Sequence, residues 1–176
     1  MLILALESSA KAASVALCRD GVLIAQSQQC SGLTHSCTLL PMAEQMLKNT
    51  DTKLADVDAI AVARGPGSFT GVRIGVSTAK GLAWGAQKPA IGVSTLEAMT
   101  RGAAYADGIY CACMDARKQQ IYNAVFSLQA GKLTRLTDDR AIAIDALVPE
   151  LSEGAGPIYL LGDGAKLVSD TLAGSG

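Results

Sequence analysis

The sequence predicts an α/β fold of two related lobes, each a mixed sheet with flanking helices. Three observations lead there. Strand-length apolar runs and stretches of helical period follow one another in the order βββαβαβα. That order starts again after about residue 104. The composition suits a packed interior, with 49% hydrophobic and 18% charged residues. Aromatic residues make up only 4%, so the core is expected from Ala, Val, Leu and Ile.

The elements follow in order. "LILALE" and "ASVALCRDG" are apolar stretches joined by the polar "SSAKA", which predicts a β-hairpin. Asp20-Gly21 is a hairpin turn signal, and "VLIAQSQQ" after it predicts a third antiparallel strand. Leu39, Met42, Ala43, Met46 and Leu47 then fall at i, i+3, i+4, i+7 and i+8, giving a helix over 36–49. Pro41 suits a first turn, so that helix is expected to start late or to kink. "VDAIAVA" (57–63) reads as a buried strand, "TGVRIGVSTAKGLAWGA" as a helix, "PAIGVST" as a further buried strand and "LEAMTRGAAYA" as a helix.

The second copy opens with "GIYCACMDARKQQIYNAVFSLQAGKLTRL", read as strand, acid, polar turn, strand, Gly turn, strand. Glu7 and Asp115 close the first strand of each copy, and the turns at Gly21 and Gly131 correspond. "DALVPEL", "PIYLLGD" and "GAKLVSDTL" continue as helix, strand and helix. The expected lobes are residues 1–103, carrying the partner-binding surface, and 104–176, smaller and incomplete at its C-terminal end.

Net charge is −1 and no Lys/Arg run exceeds two residues, so no basic stripe for nucleic acid is present. An RNA would be held mostly by another subunit. The start "MLILALESS" lacks a basic n-region and meets an acid after six residues, unlike a signal peptide. No apolar run approaches the roughly 20 residues of a membrane span. Cysteines 18, 30, 37, 111 and 113 are odd in number and lack CxxC spacing. They are expected to be reduced, small and buried in a cytoplasmic protein. Cys111 and Cys113 alternate on a strand and so share one face, as core packing.

The densest motif is "ARGPGSFTGVRIG" (63–75). A Walker A loop needs GxxxxGK[ST], but Thr70 stands where its second glycine belongs and no lysine follows. GxGxxG fails at the same residue, so a general anion site is the only phosphate reading left. Gly71, Gly75, Ala79 and Ala83 instead recur every four residues and share a helix face, flanked by Val72 and Val76. Two uses are open for such a strip: packing on its own sheet, or close approach of a partner's helix. The 36–49 helix, with His35 at its start and Met42 and Met46 on its apolar face, is the second candidate contact element. Its apolar face also suits core.

Glu7 and Asp115 are candidate ligands for a hydrated Mg²⁺, and Gly162 and Gly164 in "LLGDGAKL" offer a turn of the kind found near a nucleotide. His35 is the only histidine, and Leu39 occupies the position where an i+4 metal partner would stand. No resident metal and no catalytic device is expected. Ser8 and Ser9 lack a G-x-S-x-G setting.

Together "MLILALESSAKAASVAL", "THSCTLLP", "RGPGSFTGVRIGVSTAKGLA", "IGVSTLEAM" and "MDARKQQIYNAVF" resemble the bacterial TsaB family along about residues 1–165. The resemblance implies a two-lobed actin-like ATPase (ASKHA, ribonuclease H-like) fold. It also implies a non-catalytic partner of TsaD, which places a threonylcarbamoyl group on the adenosine next to the anticodon of tRNAs reading ANN codons. TsaE, an ATPase, would join the pair, TsaC or its relative would make the threonylcarbamoyl-adenylate, and ATP and Mg²⁺ would act at the level of the complex. A homodimer is implied when TsaD is absent, and tRNA is met through the complex. The family is longer than this chain, which implies further C-terminal helices. Two residues depart from related patterns. The first-strand acid is Glu7 rather than Asp, followed by Ser8 and Ser9 rather than glycine, and Leu39 replaces the second His of TsaD's metal pair. The alternative readings are a stand-alone ATPase or a glycoprotease-like peptidase.

Overall fold

The computed structural model describes residues 1–152 and 156–174, in two compact units, Met1–Val93 and Ser94–Gly176. The first unit contains β1 (Leu2–Glu7), β2 (Ala13–Arg19), β3 (Val22–Gln29), α1 (His35–Asn49), β4 (Ala59–Ala63), α2 (Phe69–Ala86) and β5 (Ala90–Val93). Its sheet runs β3-β2-β1-β4-β5, antiparallel across β1, β2 and β3 and parallel across β1, β4 and β5. Alternation on β1 sends Leu2, Leu4 and Leu6 to one face, where α1 and α2 cover them. Val15, Leu17, Ile60 and Val62 from the neighbouring strands complete that core.

The second unit contains α3 (Thr95–Ala103), β6 (Gly108–Arg117), β7 (Gln120–Gln129), β8 (Lys132–Arg135), β9 (Arg140–Ala143), α4 (Ile144–Ser152), β10 (Ile158–Leu161) and α5 (Ala165–Gly174). Its sheet runs β10-β6-β7-β8, with β9 paired to the first half of β7. Both faces are covered. Cys111, Cys113, Ile121 and Val125 meet α4 and α5, whereas Tyr110, Ala112, Ala124 and Phe126 meet α3 through Leu96. By this packing α3 belongs with the second unit, although the sequence reading ends the first lobe after residue 103.

The repetition read from the sequence is a repetition of topology. β3-β2-β1-β4 corresponds to β8-β7-β6-β10, with the same two antiparallel pairs and one parallel pair. Even the hairpin turns agree: Asp20 and Gly21 have φ of 51° and 80°, Ala130 and Gly131 of 49° and 77°. Positive φ at both central residues is the twist-matched hairpin turn. Each unit is thus the mixed sheet with flanking helices that the sequence predicts.

Three local expectations are corrected. α1 starts at His35 and carries Pro41 in its interior, where the missing N–H leaves only the Cys37 carbonyl without its helical partner. β5 is an exposed edge strand rather than a buried one, because β4 pairs it on one side only. Cys30 and Cys37 are exposed; Cys111 and Cys113 alone are fully buried.

Candidate functional site

The 63–75 motif is the turn from β4 into α2. Ser68 caps the helix, its Oγ accepting the Gly71 N–H at 3.3 Å. At the far end Gln87 turns left-handed and Lys88 N–H returns to the Ala83 carbonyl at 2.8 Å. Between them the four-residue strip Gly71, Gly75, Ala79 and Ala83 is buried against the sheet of its own unit. A Cβ on Gly71 would stand 2.1 Å from the Ser8 carbonyl oxygen, and one on Gly75 2.4 Å from Ser8 Oγ. Ser8 Oγ donates to the Gly71 carbonyl at 2.8 Å. Gly67, at φ +155°, lies equally close to Ser9, whose carbonyl accepts the Ser68 N–H at 2.7 Å. The glycines therefore let one backbone rest on another, at the end of β1.

The same holds at the corresponding turn of the second unit. Cys113 carbonyl accepts the Gly164 N–H at 3.1 Å, and a Cβ on Gly162 would stand 2.2 Å from that oxygen. Gly162 and Gly164 thus seat the β10–α5 turn on the end of β6. Asp163 Oδ1 accepts the Asp115 N–H at 3.2 Å, and the Asp115 carboxylate accepts the Arg117 N–H at 2.7 Å. Glu7, in the first unit, accepts the Ser9 N–H. Each proposed Mg²⁺ acid is thus engaged by backbone in its own unit. Among the described residues no three His, Cys, Asp or Glu side chains group as metal ligands.

The candidate contact residues of α1 sit likewise inside the first unit. Leu39, Met42, Ala43 and Met46 are core, and Leu47 and Val76 pack against it half-buried. His35 Nε2–H donates to the Ala10 carbonyl at 2.8 Å, tying the start of α1 to the β1–β2 turn. The side chains singled out from periodicity are thus already covered, because an amphipathic helix directs its periodic apolar face to its own sheet.

What α2 leaves in solvent lies about 200° round the helix from the buried strip, two residues further on. Ser77, Gly81 and Gly85 are exposed there, again every four residues, and neither glycine has a neighbour within 4 Å of a built Cβ. Phe69 and Trp84 bracket this second small-residue face, 70% and 87% exposed. Arg73 lies over the Phe69 ring at 4.1 Å. Leu40 and Pro41 expose themselves on the neighbouring α1. Aromatics and Arg around small residues are the composition of a protein contact. Period-four counting could have found Ser77-Gly81-Gly85; deciding which strip faces outward needs the sheet.

In the second unit Cys111 and Cys113 share the face toward α4 and α5, with sulfurs 3.4 Å apart. Their mutual hydrogen bond pulls the Cys111 thiol below its usual value and, with burial, pushes Cys113 well above. Asn123 Nδ2 donates to Cys111 Sγ and to the Ala112 carbonyl, both at 3.1 Å, which makes the pair part of a satisfied buried network.

A family model described as "TsaD: tRNA N6-adenosine threonylcarbamoyltransferase" matches residues 29–161. The chain is 40% identical over 152 residues to the tRNA threonylcarbamoyladenosine biosynthesis protein TsaB of Escherichia coli, covering 85% of this chain and 65% of that one. To its Bacillus subtilis counterpart it is 33% identical over 180 residues, covering 100% and 79%. Among solved structures, YeaZ from Pseudomonas aeruginosa superposes with a TM-score of 0.82 at 31% identity, covering 96% of this chain and 78% of that one. The chain thus spans about two thirds to four fifths of the length of these relatives. On family model, identity and fold together, it belongs to the TsaB family, itself related to the TsaD transferases.

Proposed function

We propose that this chain is a non-catalytic subunit in tRNA threonylcarbamoyladenosine biosynthesis, and that the outer face of α2 docks it on the TsaD-type transferase. The observation that carries the docking is the exposed pair Phe69 and Trp84 flanking Ser77, Gly81 and Gly85. Small residues admit a second helix closely, and large exposed aromatics anchor such contacts. Sequence shared with the catalytic relatives supports a related surface on the partner: the chain is 43% identical over 75 residues to the transferase of Brucella anthropi, covering 43% of this chain and 21% of that one. In this reading TsaE joins the pair, ATP and Mg²⁺ act in the complex, tRNA is met through it, and the site of action is the cytoplasm. No helix among the described residues is long and apolar enough to cross a membrane. Without its partner the chain self-associates.

The test is reconstitution. Trp84→Ala and Gly81→Arg alter only exposed positions, so both variants should fold. Each should lose co-elution with the transferase and lower tRNA modification at least tenfold in a mixture of the purified components. Full co-elution of both variants would remove the α2 face from the interface. Modification undiminished when this chain is omitted would remove the subunit role, and ATP hydrolysis by the chain alone, lost in Glu7→Gln, would make it an enzyme.

A further inference from the structure

No acidic residue stands between Asp58 and Glu97, although the whole chain has a net charge of −1. That stretch carries four cations, Arg64, Arg73, Lys80 and Lys88, and among the described residues none of them has an ion-pair partner. Arg73 and Lys80 stand on α2. At about 3.6 residues per turn, Phe69, Arg73, Lys80 and Trp84 fall within about 60° of one another. All four are exposed. They form a stripe beside the small-residue face, aromatics at its ends and cations between, with the cations about 10 Å apart along the axis. Its contact with the Phe69 ring holds Arg73 in that stripe. The neighbouring α1 has one acid and one base, Glu44 and Lys48, and supplies no net counter-charge.

We infer that the surface received by this stripe is acidic: the transferase presents one carboxylate to Arg73 and one to Lys80, between apolar seats for Phe69 and Trp84. This rests on the reading that α2 docks on the transferase, and adds the chemistry that the partner brings. Desolvation is the reason. Covering Phe69 and Trp84 also covers the cations between them. A cation taken out of water without a counter-charge costs more than a buried aromatic returns. Carboxylates at those two places remove that cost. Arg73 can hold its carboxylate with two parallel N–H bonds, and Lys80 meets its own as a point charge.

Other occupants fit the stripe less well. A two-fold axis midway along it would set Arg73 of one copy of this chain against Lys80 of the other, like charge on like. An uncharged apolar surface would leave both cations unpaired. An acidic partner is also drawn in by the local excess of positive charge, so salt should weaken the complex.

Titration of the purified transferase with this chain at two salt concentrations tests the inference. Going from about 0.1 M to about 1 M shortens the screening length from about 10 Å to about 3 Å, and wild type should bind about tenfold less tightly. The double variant Arg73→Gln/Lys80→Gln changes exposed positions only and should fold. It should bind about tenfold less tightly than wild type at low salt, and hardly respond to salt. A water-soluble carbodiimide should join Lys80 Nζ to an Asp or Glu of the transferase as an amide, with loss of water, located by mass spectrometry. Lys80→Arg should keep its affinity and lose that link. Affinity indifferent to salt, a double variant that binds like wild type, or no link from Lys80 overturns the acidic partner surface. If Trp84→Ala still abolishes binding in those cases, α2 remains the docking face and only the inference falls. Binding indifferent to Trp84→Ala and Gly81→Arg as well removes the docking reading with it. Self-association lost in Trp84→Ala, with transferase binding unchanged, gives the stripe to a second copy and overturns both.

Discussion

Replacing Gly71 by Ala should destabilise the first unit, while the same change at Gly81 should stabilise it. The two glycines lie in one helix and differ in what a methyl group would meet. At Gly71 a Cβ would stand 2.1 Å from the Ser8 carbonyl oxygen and 3.2 Å from its carbon, both backbone atoms. An ordinary contact is about 3.5 Å, so α2 must retreat by about 1 Å or more. Overpacking of this kind costs about 1–3 kcal/mol. The Ser8 Oγ bond to the Gly71 carbonyl, net worth about 1 kcal/mol, is strained as well. Alanine recovers at most about 1 kcal/mol of helix propensity. The balance is a loss of about 1–3 kcal/mol. Gly81 has open space around it and gains about 0.5–1 kcal/mol. With a urea slope of about 2 kcal/mol per molar, the two variants should differ by about 1–2 M in midpoint. Urea unfolding followed by circular dichroism, with hydrogen exchange locating the change in α2, measures it. A Gly71→Ala midpoint at or above wild type would refute backbone-on-backbone packing as the reason for the strip.

Two further outcomes concern the second unit. Asn123 is fully buried, donates to Cys111 Sγ and the Ala112 carbonyl, and accepts from Arg140 at 3.3 Å. Asn123→Ala removes those bonds, while Cys111 keeps Cys113 and Arg140 keeps Glu150, and should cost about 1–3 kcal/mol, read as a lower urea midpoint. Hydrogen bonds from Arg101 and then Arg135 hold the Glu97 carboxyl below its usual value. Because the folded-state value is the lower one, its contribution is complete above the unfolded glutamate value of about 4.3 and fades as pH falls through the folded value. Half-exposed pairs are screened, so Glu97→Gln should remove about 0.5–1 kcal/mol at pH 7. The loss should shrink as pH falls into the acid range, followed by thermal unfolding at pH 7 and at successively lower pH.

Much of this fold was legible in local chemistry. Asp20-Gly21 marks a hairpin because both central residues must take positive φ, and Ala130-Gly131 repeats it with an unusual first residue. The periodic faces of α1 and α2 are likewise properties of residues three and four apart. Other features carry no local signal. β9 is four residues long and exists because β7 offers it an edge. β5 has the apolar run of a buried strand, yet stands exposed because no strand follows it in the sheet.

Sequence alone determined the repeat, the hairpins, the helices and the family, since each rests on short-range pattern or on residue identity. It also determined that the glycines of 63–75 serve something other than a Walker or dinucleotide loop. Only tertiary structure decided which of the two small-residue strips on α2 is spoken for. Periodicity defines a face but does not say what lies against it. Here the end of β1 takes Gly71 and Gly75, because backbone can approach backbone only where no Cβ intervenes, and Ser77, Gly81 and Gly85 are left to the solvent.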